Sequence, residues 1–252
     1  MSSRFSFEVV DALDYDELRP SYAPDAVAWV ADRGSLRAGS VVIDLAAGTG
    51  QLSRVLLPLG VEPIAVEPAA NMRAVLETRL PALRIHEGTA EAIPAADRSV
   101  DAVVVGNAFH HFERLTAFTE IHRVLRSGGL LALFWAWPLE EERLTLPGMR
   151  EIDEVVEAAR ASNEIATAYR SWKVPPARER GFGPFERREF PVTHMTPSAR
   201  LADLYATSSD VASLPEPVRR ELLDRIRRLS SELPETLHIS GRTVVDLCVR
   251  SS

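Results

Sequence analysis

The chain of 252 residues contains a single cysteine, Cys248. One thiol excludes an intrachain disulfide and a zinc cluster built from cysteines. No apolar run approaches the roughly 20 residues that a membrane-spanning helix needs. The first ten residues, MSSRFSFEVV, lack the basic-then-apolar layout of a signal peptide. These absences predict a cytoplasmic protein with no membrane association.

Lysine is also scarce: Lys173 is the only one, and the other basic residues counted with it are arginines. The 29 Lys and Arg residues are outnumbered by 36 Asp and Glu residues, which gives a formal net charge of −7. Proteins that bind nucleic acids normally carry a basic field or stripe, so this balance argues against a nucleic-acid partner. With 46% hydrophobic residues, a chain of this length can bury a sizeable core.

Short apolar runs alternate with helix-like segments between residues 41 and 137. The runs are largely continuous in apolar character, as is typical of parallel strands covered on both faces. Repeated strand–helix units predict a doubly wound sheet that binds ligands at the carboxyl ends of its strands. The predicted strands are 41–46, 60–67, 82–88, 100–107 and 130–137, and the predicted helices between them are 51–59, 69–80 and 113–126.

The flanking segments predict an amphipathic N-terminal helix and, after the core, a helical insertion followed by two more strands and two more helices. We therefore predict an α/β fold with a Rossmann-like, doubly wound sheet of seven mostly parallel strands and an antiparallel edge strand. The further elements are helices 21–34, 146–172, 197–206 and 215–233, and strands 185–195 and 241–250. The whole chain, 1–252, is predicted to be a single domain with an N-terminal helical cap (1–38), a cofactor-binding core (39–137), a helical insertion that caps the substrate (138–182) and a C-terminal part that completes the sheet (183–252).

The stretch VVIDLAAGTGQLSRVL, residues 41–56, places a carboxylate and then a turn of small residues between a strand and a helix. Ala46, Ala47, Gly48 and Gly50 have little or no side chain, so a ligand can approach their backbone closely. The third glycine of the dinucleotide fingerprint is missing, and Ser53 stands in its place. A tight strand-to-helix turn without a ligand is the alternative interpretation.

Glu67 ends the second apolar run, 17 positions after Gly50. An acidic residue at this point can accept hydrogen bonds from ribose hydroxyls. The spacing suits NAD and S-adenosylmethionine equally well, and a solvated acid at the start of a helix is the alternative interpretation.

Several motifs follow in a fixed order: DLAAGTG, VEP with a later NM, GTAEAIPAADRSVDAVVVGNAFHHF and EIHRVLRSGGLLALFW. Together they resemble the class I S-adenosylmethionine-dependent methyltransferases, and in particular the subgroup that acts on small molecules. The lead-in YDELRPSYAPDAVAWV, residues 15–30, is similar to that subgroup as well. The resemblance covers most of the chain and is strongest over residues 15–137. Gly128 and Gly129 are expected to form the turn that ends the helix before the fifth strand.

The resemblance implies S-adenosylmethionine as the cofactor and S-adenosylhomocysteine as its product. It assigns Glu67 to the ribose, Met72, Thr89 and Ala90 to the adenine, and the carbonyl of Asn107 to the methionine ammonium. Thr89 departs from the family, which more often has aspartate there. The cofactor-binding residues that the resemblance implies are Arg19, Asp44, Ala46, Ala47, Gly48, Gly50, Glu67, Met72, Thr89, Ala90 and Asn107.

His110 and His111 are adjacent at the end of the fourth predicted strand, where the family often has tryptophan in place of His111. A histidine with an ordinary pKa near ~6.5 can take a proton from the nucleophile, so both are candidate catalytic residues. The alternative is that His110 caps the following helix and His111 faces solvent. No spacing of ligands predicts a metal site. The candidates for the substrate pocket are Tyr15, Tyr22, Trp137 and Trp172, for which packing in the core is the alternative.

The predicted function is in-line methyl transfer from S-adenosylmethionine to an O, N or C nucleophile of a small organic acceptor. A noncatalytic S-adenosylmethionine-binding module and an NAD(P)-dependent oxidoreductase are the alternatives. Nucleic-acid methylation is disfavoured, because the fourth strand ends in GNAF and lacks the Asn/Asp-Pro-Pro-aromatic motif of nucleic-acid amino methyltransferases. We expect a monomer or a homodimer.

Overall fold

The computed structural model describes residues 7–138, 148–161 and 181–251. The described residues form two compact units. Unit 1 comprises the described parts of 1–20, 138–173 and 192–241, and unit 2 comprises those of 21–137, 174–191 and 242–252. Trp172 and most of the predicted insertion lie outside the described residues.

Seven strands form one sheet in the order β3-β2-β1-β4-β5-β7-β6. The sheet is mostly parallel, with antiparallel pairing at one edge, so the predicted fold class is confirmed. Since β7 lies between β5 and β6, β6 is an edge strand, as its alternating sequence predicted. The strands are β1 Val41–Leu45, β2 Glu62–Val66, β3 Arg84–His86, β4 Val100–Gly106, β5 Leu125–Pro138, β6 Glu186–Pro197 and β7 Thr236–Val249.

Strand β1 lies at the centre of the parallel part of the sheet. It pairs in parallel with β2, where Asp44 lies beside Ala65, and with β4, where Ile43 lies beside Val103. Ile43, Ala65 and Val103 are fully buried, which explains the continuous apolar runs in these strands. The chain crosses over between β1 and β4, so the carboxyl end of β1 lies at the switch point where α/β sheets bind ligands.

Four helices of unit 2 lie within the segments that were predicted to be helical. The longest begins at the N-cap Glu113, whose carboxylate accepts the backbone N–H groups of Leu115 and Thr116, satisfying donors that the first turn leaves open. The helices are α2 Pro24–Arg33, α3 Gln51–Leu56, α4 Ala70–Arg79 and α5 Arg114–Val124.

Unit 1 has its own hydrophobic core. It is built from helix faces and the first residues of β7, with Ile152, Val211 and Ile226 fully buried. A short helix that precedes α2 in the chain is capped by Asp11, which accepts the N–H groups of Leu13 and Asp14. The helices of this unit are α1 Ala12–Leu18, α6 Met149–Ala161, α7 Leu201–Ala206, α8 Ser209–Ala212 and α9 Glu216–Ser230.

The glycine pair after α5 has a different role from the one predicted. Helix α5 ends at Val124, and Gly128 and Gly129 lie inside β5, not at the helix end. Gly128 has φ +77°, and the pairing of β4 with β5 shifts register between Val100 and Ala102. The pair therefore forms an irregularity within the strand. In the described part of the chain, no helix is both long enough and apolar enough to cross a bilayer.

Candidate functional site

The turn after β1 has an unusual backbone. Ala46, Gly48 and Gly50 have φ values of +56°, +59° and +87°, all in the left-handed region. Gly50 is the N-cap of α3, and a Cβ there would overlap Leu76 Cδ1. Both the conformation and the space therefore require glycine at position 50.

Asp44 is 1% exposed at the end of β1, directly before this turn. Its Oδ2 accepts a hydrogen bond of 2.7 Å from the hydroxyl of Ser53, while its Oδ1 has no hydrogen-bond partner among the described residues. Burial raises the pKa of Asp44 to about 6, the hydrogen bonds at Ser53 offset part of this, and the Glu67 carboxylate adds to the rise. Ser53, which the sequence marked only as a missing glycine, is thus the residue that holds Asp44.

Glu67 connects the turn to the end of β2. Its Oε2 accepts the N–H of Gly48 at 2.8 Å and its Oε1 accepts the N–H of Ala69 at 2.8 Å. The side chain is buried, and burial raises its pKa although the two N–H donors and Arg73 oppose the rise. Each carboxylate oxygen can accept more than one hydrogen bond, so both oxygens keep acceptor capacity.

A second buried polar atom without a partner lies in the same turn. Thr49 is fully buried, and its Oγ1 has no hydrogen-bond partner among the described residues. Most buried polar side-chain atoms in proteins are paired with protein groups or water. Two orphaned oxygens, one on Asp44 and one on Thr49, therefore mark this turn as a place where a ligand or water supplies donors.

Hydrogen bonds fix the backbone conformation of Asn107, the residue directly after β4. Asn107 has φ +51°, donates its N–H to Phe134 O at 2.8 Å and accepts the N–H of Ala136 through Oδ1 at 2.9 Å. Tyr22 packs so tightly against Gly106 that a Cβ there would overlap its hydroxyl. The ring of Tyr22 is buried and meets Phe134 edge-on at 5.7 Å.

His110 and His111 lie in a short 3-10 helix, Phe109–His111, directly after this strand end. Their ring centroids are 4.1 Å apart, and His110 stacks on Trp135 at 5.7 Å. Burial lowers the pKa of His110 to about 4 and that of His111 to about 3, with repulsion from His110 as a second cause for His111. Both rings are neutral at neutral pH. The alternative that His110 caps the next helix is wrong, since Glu113 does so.

The residues proposed for the adenine differ in exposure. Met72 is fully buried and Ala90 is buried, whereas Thr89 is exposed and bridges to Ala92. The full burial of Met72 is equally compatible with packing in the core.

Arg19 and Tyr15 belong to unit 1, where they contact each other. The guanidinium lies 5.3 Å from the centre of the Tyr15 ring, and Nε donates to Thr207 Oγ1 at 2.9 Å. The backbone of Trp137 lies near the end of β5, but its side chain, like all of Trp172, lies outside the described structure. The structure thus brings together, within unit 2, the turn, Glu67, the end of β4 and Tyr22.

No group of three His, Cys, Asp or Glu residues able to hold a metal was found among residues 7–138, 148–161 and 181–251. A groove of about 360 Å³ is lined by the first residues of β2 and β3, including Glu62 and Arg84. It lies at the amino ends of these strands, whereas Glu67 follows the carboxyl end of β2. The groove is therefore separate from the candidate site.

Comparison with known families identifies the central part of the chain. A family model described as a methyltransferase domain matches residues 43–133. This range begins in β1 and ends in β5, so it contains the turn, Glu67 and the histidine pair.

Known relatives match over almost the whole length. The chain is 36% identical over 246 residues to an uncharacterised methyltransferase of Mycobacterium tuberculosis, which covers 94% of this chain and 92% of the relative. It is 28% identical over 245 residues to a methyltransferase-like protein of Schizosaccharomyces pombe, covering 96% and 91%. A solved structure of a methyltransferase from Anaeromyxobacter dehalogenans superposes with a TM-score of 0.58 at 21% identity, covering 93% of this chain and 98% of that one.

Proposed function

Since this chain belongs to the class I S-adenosylmethionine-dependent methyltransferases, we propose that it binds S-adenosylmethionine at the turn after β1 and methylates a small organic acceptor. The observation that carries the proposal is Glu67, a buried carboxylate at the end of β2 whose two oxygens are fixed by the N–H groups of Gly48 and Ala69. A carboxylate held in this way is preorganised to accept hydrogen bonds from two neighbouring hydroxyls.

The residues of the turn fit a nucleoside that carries an amino-acid tail. Ribose hydroxyls and an ammonium group are donors, and the site offers acceptors: Glu67, the orphaned Oδ1 of Asp44 and the orphaned hydroxyl of Thr49. The left-handed residues at 46, 48 and 50 keep side chains away from the backbone that such a ligand approaches. We assign the ribose to Glu67 and donors of the amino-acid tail to Asp44 and the carbonyl of Asn107.

The NAD(P) alternative is weakened by the residue at the place of the third glycine. In the dinucleotide fingerprint that glycine allows close packing of helix and strand around a pyrophosphate site. Here Ser53 is fully buried and its hydroxyl is bound to Asp44. The position therefore serves the carboxylate.

When bound, S-adenosylmethionine supplies a methyl group that its sulfonium already activates. The protein must then align the nucleophile with this methyl group and exclude water, and such positioning is worth about 7 kcal/mol or more in good cases. Tyr22, Trp135 and His110 are the side chains near the end of β4 that we propose for this task. With a pKa of about 4 in His110 and about 3 in His111, both are weak bases, since a general base works best with a pKa near the working pH. We therefore assign them to orienting the acceptor as neutral hydrogen-bonding groups.

Thermal unfolding with separate additions of S-adenosylmethionine, S-adenosylhomocysteine, NAD⁺ and NADP⁺ tests the proposal. A ligand that binds only the folded state adds about 2.7 kcal/mol at 100 times its Kd, which raises Tm by several degrees in a protein of this size. We expect this rise with the first two ligands. A rise with NAD⁺ or NADP⁺ alone would contradict the proposal. If S-adenosylmethionine binds, product formation from it distinguishes an enzyme from a noncatalytic binding module.

A further inference from the structure

Asp246 is a buried carboxylate in β7 to which the methyl-transfer site assigns no task. It is 2% exposed, and two side chains bind it. Arg187 in β6 forms a forked ion pair, with Nε on Oδ1 at 2.7 Å and an Nη on Oδ2 at 2.9 Å. Trp135 in β5 donates its indole Nε1–H to Oδ2 at 3.2 Å. All three residues belong to unit 2.

The indole that Asp246 holds is the one on which His110 stacks. The rings of Trp135 and His110 are 5.7 Å apart and inclined by 29°. An indole has a single N–H donor, so binding that donor restricts the orientations that the ring can take. The face offered to His110 therefore depends on where Asp246 holds Nε1.

The ion-pair partner of Asp246 is an arginine that reaches the surface. The Arg187 side chain is 56% exposed while that of Asp246 is 3% exposed, so the guanidinium keeps contact with water and still neutralises the buried carboxylate. The Asp246 hydrogen bond is the first cause of a raised pKa for Arg187. A forked pair of this kind is directional as well as strong, and it leaves Asp246 one preferred orientation.

We propose that Asp246 is a positioning residue, which through Trp135 sets the orientation of His110 at the acceptor side of the site. The relay runs from Arg187 at the surface to Asp246, to the Trp135 indole and to the His110 ring. The inference rests on the proposed function in one respect, namely that His110 faces the acceptor. The relay itself is a physical claim about these four side chains and is testable without an acceptor.

The test uses two variants that weaken the relay in different ways. Trp135→Phe keeps an aromatic face beside His110 but removes the N–H donor, and Asp246→Ala removes the acceptor. Asp246→Asn is the rescue variant, since its amide oxygen still accepts the indole N–H. Trp29→Phe is the matched control, because Trp29 is also a buried indole of unit 2 but packs against Phe190.

The readout is the titration of the His110 ring, followed by nuclear magnetic resonance on the full-length protein. In the wild type, desolvation by the surrounding protein lowers its pKa to about 4. Trp135→Phe and Asp246→Ala release the ring toward water, so we expect a rise of ~1 or more toward the ordinary value. Asp246→Asn and Trp29→Phe are expected to leave the titration within a few tenths of the wild type.

Unfolding temperatures close to that of the wild type establish that each variant is folded. Trp135→Phe leaves the Arg187–Asp246 ion pair in place and keeps the test decisive if Asp246→Ala is unstable. An unchanged His110 titration in folded Trp135→Phe would overturn the proposal. Calorimetric titration of S-adenosylmethionine is run in parallel on the wild type and Trp29→Phe, and we expect equal affinity in these two proteins. A wild type that binds no S-adenosylmethionine contradicts the proposed function, while the result of the His110 titration still decides on the relay.

Discussion

At the scale of single residues, the site is governed by two buried carboxylates at the ends of adjacent strands. Asp44 and Glu67 both have raised pKa values because burial disfavours their charge. Each is held by short hydrogen bonds, Asp44 by Ser53 and Glu67 by two backbone N–H groups. Burying these two carboxylates costs stability, but it places hydrogen-bond acceptors together at one site. Substitution of each carboxylate gives a direct test.

Glu67→Ala is expected to weaken the binding of S-adenosylmethionine at least tenfold. Hydrogen bonds to a charged group contribute about 1.5–3 kcal/mol each, and a tenfold change corresponds to about 1.4 kcal/mol. Isothermal calorimetry measures the effect. Glu62→Ala is the control, because Glu62 begins the same strand, is half exposed and pairs with Arg84 at the surface. Equal affinity in Glu67→Ala and the wild type would remove Glu67 from the site.

Asp44→Asn is expected to change the pH dependence of stability. The pKa of Asp44 is raised from 3.8 to about 6 on folding, so the folded state holds the proton more tightly than the unfolded chain. This contribution is fully present below pH 3.8 and is lost as the pH rises through about 6. Asparagine does not ionise, so the variant gains stability relative to the wild type between about pH 4 and 7, by up to about 3 kcal/mol. Urea unfolding at several pH values measures the difference, and parallel curves would contradict the assignment.

The residues of the candidate site could be predicted only in part from the sequence. Glu67, Gly48 and Gly50 were singled out by their spacing along the chain, and the structure connects Glu67 to the turn through the N–H of Gly48. The partnership of Ser53 with Asp44 was missed, since the fingerprint describes position 53 only by the glycine it lacks. The lowered pKa values of His110 and His111 could not be predicted either, because they depend on burial and on contacts with a strand more than 20 positions away.

At the scale of elements, the turn between β1 and α3 sets the geometry of the site. Three of its five residues, 46–50, are left-handed, and Gly50 also lies against Leu76 of α4. A side chain at position 50 therefore meets two obstacles, the backbone angle and the neighbouring helix.

Gly50→Ala and Gly39→Ala separate these two obstacles. Both glycines have positive φ, +87° and +82°, but a Cβ at Gly39 has no atom within 4 Å. Left-handed alanine costs roughly 1–2 kcal/mol, and we expect this loss in Gly39→Ala. Gly50→Ala should lose more, by ~1–3 kcal/mol of overpacking, and should also weaken S-adenosylmethionine binding. Denaturant unfolding measures the loss of stability, and calorimetry measures the affinity for S-adenosylmethionine. Equal losses of stability in the two variants would show that the Leu76 side chain moves aside without cost.

The elements themselves were largely predictable, and the exceptions have physical causes. Continuous apolar runs identified β1, β2 and β4, most of whose residues are buried. β7 begins at Thr236, five residues before the predicted start at 241. Its first residues alternate between exposed and buried, a strand signal that the prediction missed. Helix α1 was not predicted as an element, since its seven residues are too few for a clear helical period. Gly128 and Gly129 were wrongly assigned to a helix end, because a glycine pair marks an irregular backbone without stating which element contains it.

At the scale of the whole molecule, the chain divides its core between two units. The proposed ribose, turn and β4 residues all belong to unit 2, while α6 to α9 enclose a separate core in unit 1. Core substitutions in unit 1 are therefore expected to lower the free energy of unfolding but to leave cofactor binding largely unchanged.

Ile226→Ala tests this separation. Ile226 is fully buried in unit 1, and large-to-small changes at such positions cost about 2–5 kcal/mol. We expect a clear loss of unfolding free energy with little change in the Kd of S-adenosylmethionine. Val218→Ala is the control on the same helix, where the side chain is 39% exposed and a small effect is expected. A large loss of affinity in folded Ile226→Ala would show that unit 1 contributes to the cofactor site.

The most direct measurement is a crystal structure of the protein with S-adenosylhomocysteine bound. We predict that the ribose hydroxyls lie within hydrogen-bonding distance of both Glu67 oxygens and that the turn at 46–50 lies against the ligand. We also predict a donor of the amino-acid tail at Asp44 Oδ1 and the sulfur on the side of His110 and Trp135. A ligand bound elsewhere, or one whose ribose makes no contact with Glu67, would contradict it.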